Sequence, residues 1–109
     1  MASVAHSLRV VPEFDPSEAD RIVEILSSRL DRRLGRFDND QVELEISVKE
    51  RDTPSQRVVL ECWIAVSGHT RFVGTSTEAP LMAAVREAAD DVYTQVDRFL
   101  NKQEGSRRD

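Results

Sequence analysis

The sequence predicts an α+β domain, a two-layer β-α-β-β-β-α sandwich in which a four-stranded sheet carries two helices packed side by side on one face. Three observations predict it. Two segments repeat apolar residues at three- and four-residue steps, the spacing of one helix face. Three later segments alternate apolar and polar residues, the spacing of a half-buried strand. The order of these segments leaves one-sided strands and one-sided helices, which bury their apolar surfaces together only as two layers.

Taken in order, residues 1–6 are small and polar and are expected to fray. Leu8 to Val11 reads as a short first strand, limited by Pro12, which cannot donate to a ladder. Asp15 to Phe37 reads as the first long helix. Asp15 suits the N-cap, Pro16 the first helical position, and Glu18 completes a capping box. Ala19, Ile22, Val23, Leu26, Leu30, Leu34 and Phe37 form its apolar stripe. Arg21, Arg29, Arg32, Arg33 and Arg36 fall on one flank of that stripe, and Asp20, Glu24 and Asp31 on the other. Asp38-Asn39-Asp40 supplies the turn that stops the helix.

Gln41 to Lys49 is a strand with Val42, Leu44, Ile46 and Val48 on its buried side. Glu50 to Ser55 is a loop. Arg57 to Val66 is a second long strand, Ser67-Gly68 a tight turn, and His69 to Thr75 the returning strand. Trp63 then sits on the polar face beside Glu61 and near Arg71, where it reads either as a partly covered packing residue or, with Arg71, as an interaction face for a second copy or another protein. Thr77 or a neighbour caps a last helix whose stripe is Leu81, Val85, Ala88, Val92, Val96 and Phe99. The segment 7–102 is thus one domain, and 103–109 is expected to be a disordered tail.

Composition narrows the function classes. With 32% charged and 39% hydrophobic residues, the chain of 109 residues is that of a single globular domain. A net charge of −5 argues against a general nucleic-acid binder and against DNA as a partner, while leaving room for a local basic patch. No apolar run is long enough to span a bilayer. The opening MASVAHSLRVV lacks a basic segment followed by an apolar one, so no signal peptide is predicted. The single Cys62 cannot form an internal disulfide and suits a reducing cytoplasm.

Enzyme signatures are missing from the pattern. His6 and His69 have no metal-ligand spacing to other donors, so neither a metal nor a cofactor is predicted. Cys62 falls on the buried side of a strand, and Asp90-Asp91 reads as helix solvation. No glycine-rich loop opens a helix to cradle phosphates. The chain reads as a binding protein, and no residue pattern supports a small-molecule enzyme.

RLDRRLGRFDND leading into VELEISVKE, and STEAPLMAAVREAADDVYTQVDRFLNK closing the chain, resemble the hibernation-promoting factor and ribosome-associated translation inhibitor family, also known as the sigma-54 modulation family. The resemblance extends over Leu8 to Lys102 and includes the element order. It implies a factor that binds 16S rRNA of the small ribosomal subunit in the mRNA and tRNA channel and blocks translation under stress or in stationary phase. Carried over by position, the family's basic contacts fall on Arg29 and Arg32, with Arg33 and Arg36 close by, and on Arg98 and Lys102 of the last helix. Two positions that are usually basic there are Asp91 and Thr94 here. The length matches the short, single-domain type. Two other readings stand beside it. One is a protein-interaction or weak homodimerisation module using the Trp63 face. The other is a double-stranded RNA-binding domain, which needs a lysine cluster opening its last helix that Ala79 to Ala84 does not supply.

Overall fold

The computed structural model describes residues 1–66 and 68–107. Its elements in chain order are α1 (Val4–Ser7), β1 (Leu8–Val10), α2 (Pro16–Leu34), β2 (Val42–Lys49), β3 (Arg57–Ala65), β4 (His69–Ser76) and α3 (Leu81–Arg107), with a 3-10 turn over Asn39–Gln41 before β2. The sheet order is β1-β2-β3-β4. β1 runs parallel to β2, with Leu8 opposite Leu44 and Val10 opposite Ile46, so α2 is the crossover that a parallel pair requires. The other two pairings are antiparallel, in the registers Leu44 to Cys62 and Cys62 to Phe72.

The α+β sandwich is formed because each element has a single apolar side. Val42, Leu44, Ile46, Val58, Leu60, Cys62 and Ile64 are buried on one face of the sheet. They join Ile22, Leu26, Leu30 and Leu34 of α2 and Val85, Ala88, Val92 and Val96 of α3 in one core. α3 packs on β3 and β4, and α2 packs beside α3. Gly74 lets β4 approach α3, because a Cβ there would overlap the Ala88 carbonyl oxygen. Gln95 on α3 reaches the same strand and donates from Nε2 to the Val73 carbonyl at 2.7 Å.

The capping box at the start of α2 is formed in full. The Asp15 carboxylate accepts from the Glu18 amide at 2.9 Å, and Glu18 accepts from the Asp15 amide at 3.0 Å. The helix ends at Leu34, earlier than Phe37: beyond Gly35 the amides of Arg36 and Phe37 turn back to the Arg33 and Leu34 carbonyls, three residues away and not four. Phe37 lies beyond the helix but is still buried. α3 starts at Leu81, after the Pro80 carbonyl has accepted the Ala83 amide, so Thr77 is not its cap.

The two ends differ from the sequence reading. Residues 1–6 do not fray. Ala2 and Val4 are buried, the Ala2 amide donates to the Phe37 carbonyl at 2.7 Å, and the Val4 amide donates to Asp31 Oδ1 at 2.7 Å. The short α1 is capped by Ser3 and holds this segment against α2. At the other end α3 continues past Lys102 to Arg107, where a disordered tail is expected from sequence. Gln103 and Glu104 are good helix formers and extend a helix already nucleated and packed. Arg108 and Asp109 lie outside the described residues.

Arg51, in the β2–β3 loop, ties that loop to the start of α2. It lies between Glu50 and Asp52, both at positive φ. Its guanidinium donates to the Glu13 carbonyl at 2.6 Å and to both Glu18 oxygens at 2.8 and 2.6 Å, and it lies 5.9 Å from the centre of the Phe14 ring. The Arg51 hydrogen bonds, then the Asp15 amide, hold the Glu18 carboxyl below its ordinary value of 4.5. A carboxyl lowered in the folded state stabilises above its unfolded value and stops doing so as pH falls through the folded one. Arg51→Ala is therefore expected to cost about 1 kcal/mol near neutral pH. That difference from the wild type should shrink below about pH 4.5 in urea unfolding, and a difference independent of pH would show that Glu18 is not the partner that matters.

Candidate functional site

The C-terminal half of α2 carries Arg29, Arg32 and Arg33, with Arg36 in the turn just beyond it, and the helix lies alongside α3. The structure divides these four arginines into two kinds. Arg29 and Arg33 turn toward α3 and meet carboxylates. Arg29 Nε donates to Asp90 Oδ1 at 2.8 Å, and Arg33 Nη2 lies 2.6 Å from Asp97 Oδ1. Arg33 also lies over Tyr93, 5.8 Å from the ring centre. Arg32 and Arg36 are exposed, and Arg32 borders the seam. A shallow hollow lined by Ser28, Arg29, Arg32, Asp90 and Tyr93 runs between the helices.

The two ion pairs are not equivalent. In the Arg29–Asp90 pair the side chains retain 31% and 64% of their exposure, so water and salt screen it. In the Arg33–Asp97 pair they retain 26% and 28%, and the Tyr93 ring covers the guanidinium further. Arg33 is consequently a clamp between the helices, whereas Arg29 stands at an accessible margin.

On α3, Asp91, Thr94, Arg98 and Lys102 recur at three- and four-residue steps and are all exposed, so they share one outward side, turned toward the flank where Gln95 reaches β4 and not toward the Asp90, Tyr93 and Asp97 side that meets α2. Asp91 accepts a hydrogen bond from Gln95 Nε2 at 3.2 Å, and the Thr94 hydroxyl donates to the Asp90 carbonyl at 3.0 Å. The seam therefore holds Arg29, Arg32 and Arg33 together with Asp90 and Asp97, while Arg98 and Lys102 share the outward side of α3 with Asp91.

Sequence reasoning missed the roles of Asp90, Tyr93 and Asp97. Asp90 does not simply solvate α3; it pairs with Arg29. The available signal was two acidic residues seven apart on α3 facing two arginines four apart on α2. That signal is readable only once both helices are known to run in the same direction, which the parallel β1–β2 crossover sets.

The opposite face of the sheet holds Trp63 half-buried between Glu43 and Arg71, its register partners on β2 and β4. Arg71 does not stack freely there, because it pairs with Glu61 Oε2 at 2.9 Å. Small hollows lie on both sides of Trp63, one lined by Asp40, Gln41, Glu43 and Ala65, the other by Ser7, Arg9 and Glu45. Burial pushes the Cys62 thiol up to about 12, so at neutral pH it is a protonated core side chain and a poor nucleophile. Among the described residues no three His, Cys, Asp or Glu side chains converge as metal ligands, and no helix is long and apolar enough to cross a membrane.

No protein-family model matches this chain, and no curated protein is significantly similar to it.

Proposed function

We propose that this chain is a ribosome-associated translation inhibitor of the hibernation type, acting in the cytoplasm by docking on 16S rRNA in the mRNA and tRNA channel of the small ribosomal subunit. The observation that carries this reading is the grouping of Arg29, Arg32 and Arg33 at one seam of an otherwise acidic body, with Arg36 in the turn just beyond α2 and Arg98 and Lys102 on the outward side of α3. Local positive charge on a body of net charge −5 orients the protein toward phosphates through one side only. The mixed sheet with two helices on one face and the basic end of α2 fits the resemblance noted above. Asp91 and the two ion pairs weaken the patch, so binding by this surface is moderate and strongly salt-dependent.

The test is co-sedimentation with purified small subunits at several salt concentrations. The triple variant Arg29→Ala, Arg32→Ala, Arg36→Ala should bind roughly tenfold or more weakly, since charge-assisted contacts are worth about 1.5–3 kcal/mol each when formed. Its salt dependence should also flatten by about two counterions. Unchanged binding removes the α2 assignment. A second reading, a protein-interaction or homodimerisation module, is favoured by Trp63 on the open side of the sheet. Trp63→Ala serves as its arm in the same experiment. Subunit binding that survives Trp63→Ala supports the helix seam, and binding lost with Trp63 transfers the contact to the sheet.

A further inference from the structure

While the Arg29–Asp90 pair holds, the Nε proton is directed at 2.8 Å into the carboxylate, so a phosphate can reach only the terminal Nη donors and cannot form the two-point pair that uses Nε with one Nη. Carboxylate and phosphate oxygens are the same class of acceptor for a guanidinium. Asp90 thus occupies the Nε side of Arg29 that a phosphate of the incoming RNA would need for a two-point pair. We propose that Asp90 is a built-in competitor of RNA for Arg29, so that docking exchanges the Arg29–Asp90 pair for an Arg29–phosphate pair. This deepens the ribosome reading and rests on it for the natural partner.

Three features make Asp90, and not Asp97, the exchangeable carboxylate. The Asp90 side chain is 64% exposed, so releasing it to water leaves no buried charge behind. Asp97 is 28% exposed and faces an arginine that Tyr93 also covers, so freeing it would strand a partly desolvated pair. The hollow beside Arg29 is also lined by exposed Arg32, which gives a phosphate entering there a second cation as it displaces the carboxylate. The consequence is a threshold. An isolated phosphate or a weak polyanion gains little by opening the pair, whereas RNA that engages Arg32 and Arg36 at the same time gains enough to open it.

The test is a double-mutant cycle read with two probes, purified small subunits and a short RNA hairpin, at low and moderate salt. Asp90→Asn is expected to tighten binding about fivefold, the upper end for an exposed ion pair, and to steepen the salt dependence by about one counterion. That gain should vanish in an Arg29→Ala background. Asp91→Asn is the charge-matched control one residue along, and whatever it gains should persist when Arg29 is replaced. Equal gains from Asp90→Asn with and without Arg29 overturn the proposal, since they reduce it to general charge repulsion. Hairpin binding that obeys the cycle while subunits are not bound keeps the competitor and overturns the ribosome reading. Subunit binding without coupling does the reverse. Failure of every variant to bind either probe at low salt overturns both.

Discussion

Gly74→Ala is expected to lower the stability of the domain by about 3 kcal/mol, the upper end for forcing volume into a packed core. The added methyl group would overlap the Ala88 carbonyl oxygen and approach Val92 Cγ2 at 3.0 Å. The valine methyl can rotate away. The carbonyl cannot, because it belongs to the hydrogen-bonded backbone of α3 in the middle of its buried stretch. Relief therefore requires α3 to lift from β4 along a contact that also buries Ala84, Ala88 and Val92. In a domain of this size such a loss lowers the melting temperature by roughly 12–20 °C. A thermal scan showing a shift of less than about 4 °C would mean that α3 slides along the sheet at little cost.

Val4→Asp is expected to cost about 2–3 kcal/mol, for a different reason. Val4 is fully buried, and its own amide donates to the Asp31 carboxylate, so a second carboxylate would be desolvated next to a like charge. The loss is limited because the segment before β1 can detach from α2 while the sheet stays paired. Hydrogen exchange separates the two contributions. The Ala2 and Val4 amides should be protected in the wild type and exchange freely in the variant, whereas amides of β3 should keep nearly their original protection. If Ala2 and Val4 exchange freely in the wild type as well, the anchoring of this segment is refuted.

That segment shows why some of the fold was readable from sequence and some was not. Alternation over Val42 to Lys49 reveals a strand because a one-residue slip would turn every valine, leucine and isoleucine to water. The capping box at Asp15 and Glu18 is local, so its residue types identify it unaided. Ala2 and Val4 offer no period; their burial depends on a gap beside Asp31 and Phe37 that exists only after α2 and its exit turn have folded. Arg51 reaching Glu18 is of the same kind, a contact between a loop and a helix start that no spacing announces. At the seam, the arginine flank follows from helical periodicity. The loss of Arg29 and Arg33 to α3 carboxylates depends on which flank faces which helix, and that is fixed by the sheet beneath them.

The Gln95 hydrogen bond to Val73 has a consequence for the edge of the sheet. β4 is the last strand of the sheet, and an outermost strand presents a row of peptide groups that invites another chain to extend it. Near the middle of that strand the Val73 carbonyl accepts from an amide group projecting from the helix behind, so α3 reaches the rim of the sheet there. A single side chain on α3 thus fastens the rim of the sheet to the helix layer, so that the outermost strand is held from behind as well as by its neighbour β3.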